Sequence, residues 1–196
     1  MRATVANTSF LMTRAATLDP VDGAPAVQVW YTPAGEVVRV REDGRLVGTA
    51  GVPQVDWREA RLDQAPTWQQ VAAQQAANQP ALQYTRERDV TPGYHSGLRD
   101  LVTVQAVRAT SRMPKAMVGA ASEQLQWFTE TSRLLDAARV NATAQAPKLD
   151  PVHQPLPPAL YAVDMRTGQV AYSEQCLSAS VCITLQAWPP ATPPAP

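Results

Sequence analysis

Ala26-Val-Gln-Val-Trp-Tyr-Thr32, Glu36-Val-Val-Arg-Val-Arg41 and Arg45-Leu-Val-Gly-Thr-Ala50 are the runs whose reading decides the fold. They are rich in β-branched and aromatic residues, which suit a pleated, half-buried surface. In the second run Val38 and Val40 fall on one side while Arg39 and Arg41 fall on the other, the period of two that a strand imposes. Pro33-Ala-Gly35 and Glu42-Asp-Gly44 separate the runs. Short Gly-containing turns between β-rich runs describe an antiparallel meander.

The same pattern extends along the chain. Leu82 to Val90 alternates, with Leu82, Tyr84, Arg86 and Arg88 on one side and Gln83, Thr85, Glu87 and Asp89 on the other. Thr91 to Gly97 is a turn, and Leu98 to Val107 returns as the partner strand. Leu160-Tyr-Ala-Val-Asp164, Met165 to Gly168 and Gln169 to Glu174 make a third hairpin, and Val181 to Trp188 is the last strand. A first strand is expected within Val5–Thr17, and Asp19–Pro25 is a loop by its Pro, Asp and Gly content. Leu125 to Thr131 carries aromatic and β-branched residues, so a strand is predicted over 124–131, with a helical or irregular piece after it.

Val55 to Ala77 reads as a non-strand insertion. Thr67 caps a helix over Trp68–Ala77, since Ala and Gln favour helix, and Asn78 and Pro80 end it. Five prolines in 146–158 predict an extended loop, and five of the last eight residues are proline, which predicts a mobile tail. The expected fold is mainly β: antiparallel hairpins in a barrel-like or sandwich arrangement with one or two short helices. One β-rich domain spans 1–188, and 189–196 is the tail.

Charge is balanced, with 17 Lys+Arg against 17 Asp+Glu, so the basic footprint of a nucleic-acid binder is absent. No apolar run reaches the roughly 18 residues of a membrane-spanning helix. No positively charged segment followed by an apolar stretch marks a signal peptide at Met1. Two readings stand: a cytosolic protein, or a chain that begins after a removed export signal. Cys176 and Cys182, the only cysteines, bracket Leu177-Ser-Ala-Ser-Val181 and can close a small loop as a disulfide if the chain turns there. Disulfides persist in oxidising compartments. The alternative is two reduced thiols buried as small hydrophobes.

No catalytic or metal-binding pattern emerges, and no cofactor is expected. His95 lies in a turn and His153 in the proline loop, neither beside a nucleophile elbow. The nine glycines are scattered and form no phosphate-cradling loop. Glu87, Asp89, Asp100 and Glu174 could in principle serve as paired carboxylates of a glycosidase, but they read more simply as strand residues paired with Arg. The most charged region is Arg86-Glu-Arg-Asp89 with Arg99-Asp100 opposite. One reading is cross-strand ion pairing on a solvated face, at ~0.2–1 kcal/mol per pair. The other is a groove in which Arg86, Arg88 and Arg99 hold carboxylates of an acidic polysaccharide while Tyr94 stacks on sugar. Trp30, Trp127 and Trp188 are expected in the core, and Trp57 and Trp68 partly exposed in the insertion.

Val29 to Gly51 and Tyr161 to Gln175, with Tyr84 to Val107 between them, resemble the YjbF/GfcB family of group-four capsule lipoproteins, found with bacterial capsule and exopolysaccharide export genes. The resemblance implies an exported, mostly β protein, lipidated at an N-terminal Cys and anchored in the periplasm to the outer membrane, with no established chemistry. The lipidation Cys and signal are not in this sequence, as expected of a chain that starts after that Cys. The resemblance thus implies a non-enzymatic component of polysaccharide secretion that binds envelope export proteins or an acidic polysaccharide, contacting membrane only through a lipid anchor. A polysaccharide-modifying enzyme and an inhibitor or immunity-type module are the competing classes. A cleft holding two close carboxylates would favour the first, and a neighbouring toxin gene the second.

Overall fold

The computed structural model describes residues 1–5, 8–19, 25–107, 114, 117–118, 125–135 and 153–190. Thirteen strands and one helix are described, in two antiparallel sheets. The strands are β1 (Arg2–Val5), β2 (Thr8–Leu11), β3 (Thr13–Leu18), β4 (Val27–Tyr31), β5 (Val37–Arg41), β6 (Leu46–Ala50), β7 (Asp56–Asp63), β8 (Leu82–Thr91), β9 (His95–Val107), β10 (Gln126–Leu134), β11 (Ala159–Asp164), β12 (Gln169–Cys176) and β13 (Cys182–Gln186). Helix α1 (Trp68–Ala76) lies between β7 and β8. The larger sheet has nine strands, in the order β2-β1-β13-β12-β11-β10-β9-β8-β7, and the smaller four, β3-β4-β5-β6. The arrangement is sandwich-like and not a closed barrel.

Every strand neighbour is also a chain neighbour, save β1 beside β13. The meander divides at two places, between β2 and β3 and between β6 and β7. Met12 alone separates β2 from β3, and its amide donates to the Met1 carbonyl at 2.7 Å. At the other corner the Asp56 carboxylate accepts from the Gly51 and Val52 amides at 2.8 and 3.0 Å. Thr49 Oγ1 accepts from the Trp57 amide, and Arg39 reaches the Arg58 carbonyl. Side chains thus satisfy backbone groups where the ladder stops.

The expected hairpins are all present. β4, β5 and β6 pair in order as the predicted antiparallel meander, and the β8–β9 and β11–β12 hairpins follow. Thr67 caps α1 through a reciprocal pair: its hydroxyl accepts from the Gln70 amide, and Gln70 Oε1 accepts from the Thr67 amide. Cys176 and Cys182 are directly opposed on β12 and β13 and form a disulfide that closes that hairpin.

Several expectations need correction. The single early strand is three short ones, β1–β3. The insertion begins with an eight-residue strand, β7, whose alternation is broken by a bulge between Trp57 and Glu59. The strand over 124–131 runs instead over Gln126–Leu134, so Ser132–Leu134 continue the ladder to β9 rather than leave it. The piece beyond 135, residues 146–152 of the proline loop, residues 20–24 and residues 191–196 of the tail lie outside the described residues. Trp57 and Trp68 are each only 2% exposed, whereas Trp188 is 41% exposed. Trp188 lies two residues beyond the end of β13, and among the described residues no strand covers it; Trp57 and Trp68 face inward.

Three apolar clusters are described, and two of them flank the β5–β6 turn. One joins Val38, Val40 and Leu46 of the small sheet to Trp57, Val90, Leu98, Leu177 and Ile183. The other seats Trp68 and Val71 of α1 on Tyr84, Val102, Phe128 and Tyr161. The Trp68 ring lies 5.0 Å from Phe128 and 4.7 Å from Tyr161, centre to centre.

The β5–β6 turn is wedged between these clusters. Gly44 has φ +81°, and a Cβ there would stand 2.5 Å from Val170 Cγ2. Glycine is therefore needed both for its backbone angle and for the close approach. Gly44→Ala should cost about 1–2 kcal/mol from φ alone, with the Val170 contact adding to it. In urea unfolding, Gly44→Ala/Val170→Ala should recover part of the loss measured relative to Val170→Ala; equal stability of Gly44→Ala and the parent would refute the wedge.

Candidate functional site

The turn that places Gly44 also carries Arg41, Asp43 and Arg45. Asp43 Oδ2 accepts from Arg41 Nη2 and Arg45 Nη1, both at 2.7 Å. Its carbonyl accepts from Trp68 Nε1 at 2.9 Å, which ties the turn to α1. Arg45 is 1% exposed and donates from Nε to Glu130 Oε1 at 2.7 Å. Its Nη2 has no hydrogen-bond partner among the described residues, but the guanidinium carbon lies 4.1 Å from the Trp68 ring centre and 5.4 Å from that of Tyr84. The ring faces stand in for the missing acceptor.

Glu130 is equally enclosed. Tyr84 donates to its Oε2 at 3.1 Å, and the Tyr161 hydroxyl lies 3.1 Å from the same oxygen and 2.9 Å from Gln175 Oε1. Gln175 accepts from the Leu46 amide and donates to the Gly44 carbonyl and Ser173 Oγ. Burial opposes charge on Arg45, but Glu130 and Asp43 outweigh it and raise its pKa. Burial, then the adjacent Glu130 carboxylate, push the Tyr84 and Tyr161 phenols above their ordinary value. The space beside Glu130 and Tyr161 is about 10 Å³, too small for a substrate. This cluster is a polar core that holds the sheets together.

The arginines singled out in the sequence join that core. Arg86 is 8% and Arg88 1% exposed, on the inner face of β8 opposite Asp100 of β9. Arg86 Nε and Arg88 Nε donate to Asp100 Oδ2 at 3.0 and 2.9 Å. Trp57 covers both, its ring centre 5.0 Å from the Arg86 guanidinium carbon and 5.7 Å from that of Arg88. The expected cross-strand pairing with Asp100 is present, but the face is the buried one, not a solvated one. Arg99 falls on the outer, exposed face of β9, and Tyr94, in the β8–β9 turn, is 78% exposed. The structure therefore does not bring Arg86, Arg88, Arg99 and Tyr94 into one groove: the alternation of β8 and β9 sends the first two inward and Arg99 outward.

The large open feature lies elsewhere. A cleft of about 860 Å³ runs between β4–β5, the start of α1 and β12–β13 of the large sheet. Trp30 and Trp188 stand in its lining with Gln28, Gln169, Arg41 and Asp43. Trp30 Nε1 and Arg41 Nε are buried atoms with no hydrogen-bond partner among the described residues. Leaving a buried donor unpaired costs about 1–3 kcal/mol, so these two donors are the least satisfied polar atoms of the cleft wall. Sequence reading missed this cleft because its walls come from three distant segments. Another depression, of about 670 Å³, lies beside α1 and is lined by Gln64, Gln70, Gln74 and Gln83 without a charged side chain.

The remaining candidates carry less. His95 and His153 meet edge to face at 4.7 Å, and among the described residues no group of three or more His, Cys, Asp or Glu could hold a metal. No described helix is long and apolar enough to cross a membrane.

With this geometry in hand, the chain is an antiparallel two-sheet protein with a polar core and a lateral cleft. No protein-family model matches it, and no curated protein does. Among solved structures it is similar to the crystal structure of the hypothetical lipoprotein YmcC from Escherichia coli (K12), at 13% identity and a TM-score of 0.58. The match covers 97% of this chain and 86% of that one. At such identity the likeness is one of fold.

Two outcomes test the polar core. Asp100→Ala leaves Arg86 and Arg88 buried without their counter-charge and should lower stability by about 3–5 kcal/mol in urea unfolding; a loss below 1 kcal/mol would show that the pair is solvated. Tyr84 and Tyr161, with folded pKa values raised, contribute stability that is complete below about pH 10 and is lost as pH rises toward those folded values. Above pH 10 stability should fall by up to about 1.4 kcal/mol per unit per tyrosine. Tyr84→Phe/Tyr161→Phe should flatten that fall, and an unchanged slope would contradict the assignment.

Proposed function

We propose that this chain is a non-enzymatic component of capsule or exopolysaccharide secretion that acts outside the cytoplasmic membrane, anchored by lipid to the outer membrane, by binding polysaccharide or an export protein. The observation that carries the proposal is the likeness of fold, over nearly the whole chain, to a protein described as a lipoprotein. Two further features support it. The Cys176–Cys182 disulfide suits an oxidising compartment. The two sequence blocks that resemble the capsule lipoproteins, Val29–Gly51 and Tyr161–Gln175, meet in space at Gly44, Leu46, Val170 and Gln175. The resemblance therefore rests on parts of the chain that determine one another.

The test is genetic and biochemical together. The natural gene, tagged at its C-terminus, should yield protein in the outer-membrane fraction, and its deletion should remove surface polysaccharide without stopping synthesis. Cytoplasmic recovery, or undiminished surface polysaccharide, would sink the secretion role. Incubation of the purified chain with the organism's polysaccharide should release no new reducing ends or modified sugars; their appearance would replace binding with catalysis.

A further inference from the structure

We propose that the cleft between the small sheet and β12–β13 is a saccharide-binding site that takes an uncharged sugar unit. The inference rests on the binding role above and names its site and ligand class. Four observations converge on it. Trp188 is a large aromatic side chain left 41% exposed at the rim, and an exposed indole offers the flat apolar face on which a pyranose ring stacks. Trp30 lines the cleft from β4 and has a buried Nε1 with no hydrogen-bond partner among the described residues. Arg41 is 9% exposed, lines the same cleft, and keeps a buried Nε without a partner while its Nη2 is held by Asp43. Gln28, Gln69 and Gln169 add amide groups that can both donate and accept, as hydroxyl pairs require.

Charge selects the kind of sugar. Arg41 is the one guanidinium among the lining residues, and Glu42 and Asp43 line the cleft beside it. Asp43 already bonds Arg41 and, from behind the lining, Arg45. A uronate carboxylate entering here would meet Glu42 and Asp43 beside an Arg41 that Asp43 already engages. A neutral sugar meets no such repulsion, and its hydroxyl or acetamido oxygens can accept from Arg41 Nε and Trp30 Nε1 once those side chains turn toward the cleft. This differs from the arginine groove expected on β8–β9, whose arginines are committed to Asp100. The volume of about 860 Å³ lies in the range of sites that enclose a small organic ligand and accommodates a short stretch of a chain rather than its whole length.

The test uses the purified chain with four probes: the polysaccharide of the source organism, maltohexaose, cellohexaose and a hexameric oligogalacturonate. Binding is followed by tryptophan fluorescence and by isothermal titration. The polysaccharide, and at least one neutral hexamer, should bind, with the oligogalacturonate weaker. Trp188→Ala removes the stacking face and should weaken binding by roughly tenfold or more. Trp30→Phe keeps an aromatic ring, though a smaller one, and removes the donor; it should weaken binding by roughly tenfold. Both variants should keep the parental melting temperature to within a few degrees; a variant that unfolds is replaced by Gln28→Ala, for which the same weakening is expected. No binding by the parent chain to any probe, stronger binding of oligogalacturonate, or affinities unmoved by folded variants would overturn the site. The outcomes are separable from those of the secretion role. Lost surface polysaccharide on gene deletion, with no saccharide bound by the pure chain, rejects the cleft alone; saccharide binding by a chain that stays in the cytoplasm rejects the secretion role alone.

Discussion

Arg45 and Glu130 form an ion pair buried between two sheets, and the position of nearly everything else follows from how that pair is enclosed. Taking two charges out of water is expensive, and the attraction between them offsets the cost only where the remaining lone pairs and protons are also satisfied. Here Tyr84 and Tyr161 supply protons to Glu130, Asp43 takes a second Arg45 nitrogen, and Trp68 covers the guanidinium face. Those partners come from the β5–β6 turn, α1, β8, β10 and β11. An arrangement that demands so many partners at once permits few alternative ways of seating the small sheet on the large one. The same demand brings Arg41 and Asp43 to the cleft, because they share the turn that delivers Arg45.

Much of this fold could be read from residue order, and the reasons for the rest are local. β4, β5 and β6 are legible because alternation and Gly-containing turns agree over 26–50. β7 is not, because its bulge at Trp57–Glu59 breaks the alternation and Arg58, Glu59 and Arg61 point outward, so the segment looks polar. The tryptophans show the limit of residue type as a guide. An indole is large and mostly apolar wherever it occurs, but whether it is covered depends on which elements arrive over it. β7 and α1 bring Trp57 and Trp68 inward; the last strand ends before Trp188.

The charged residues tell the opposite story, since their burial could have been inferred. Leu82 and Tyr84 share a side of β8 with Arg86 and Arg88, and a side that begins with two apolar residues is a core-facing side. Glu130 shares a face of β10 with Phe128 and Leu134, so an acid there calls for a buried cation. What the sequence could not supply is the identity of that cation. Arg45 is 85 positions away and becomes the partner of Glu130 only through the seating of the small sheet. Asp100, 14 positions from Arg86, lies within reach of hairpin reasoning, which puts it on the partner strand where the structure has it.

The cleft is a consequence of unequal sheets. Nine strands at about 4.8 Å spacing make a sheet roughly 38 Å across, and four cover roughly 14 Å of it. Curvature reduces the mismatch but does not remove it, so the inner face of the large sheet needs a second cover. α1 provides it over β8–β11 through Trp68 and Val71. Two separate covers on one face leave a seam, and the seam runs from Gln28 and Trp30 on one wall to Leu185 and Gln186 on the other. A seam lined only by apolar groups would tend to close by repacking, as cores do. This one is held open by Arg41 and Asp43, whose ion pair keeps polar atoms at its floor, and by a turn that the Arg45–Glu130 pair prevents from moving. The buried network is therefore the support of the cleft, and the cleft is the part of the molecule left free to meet something else.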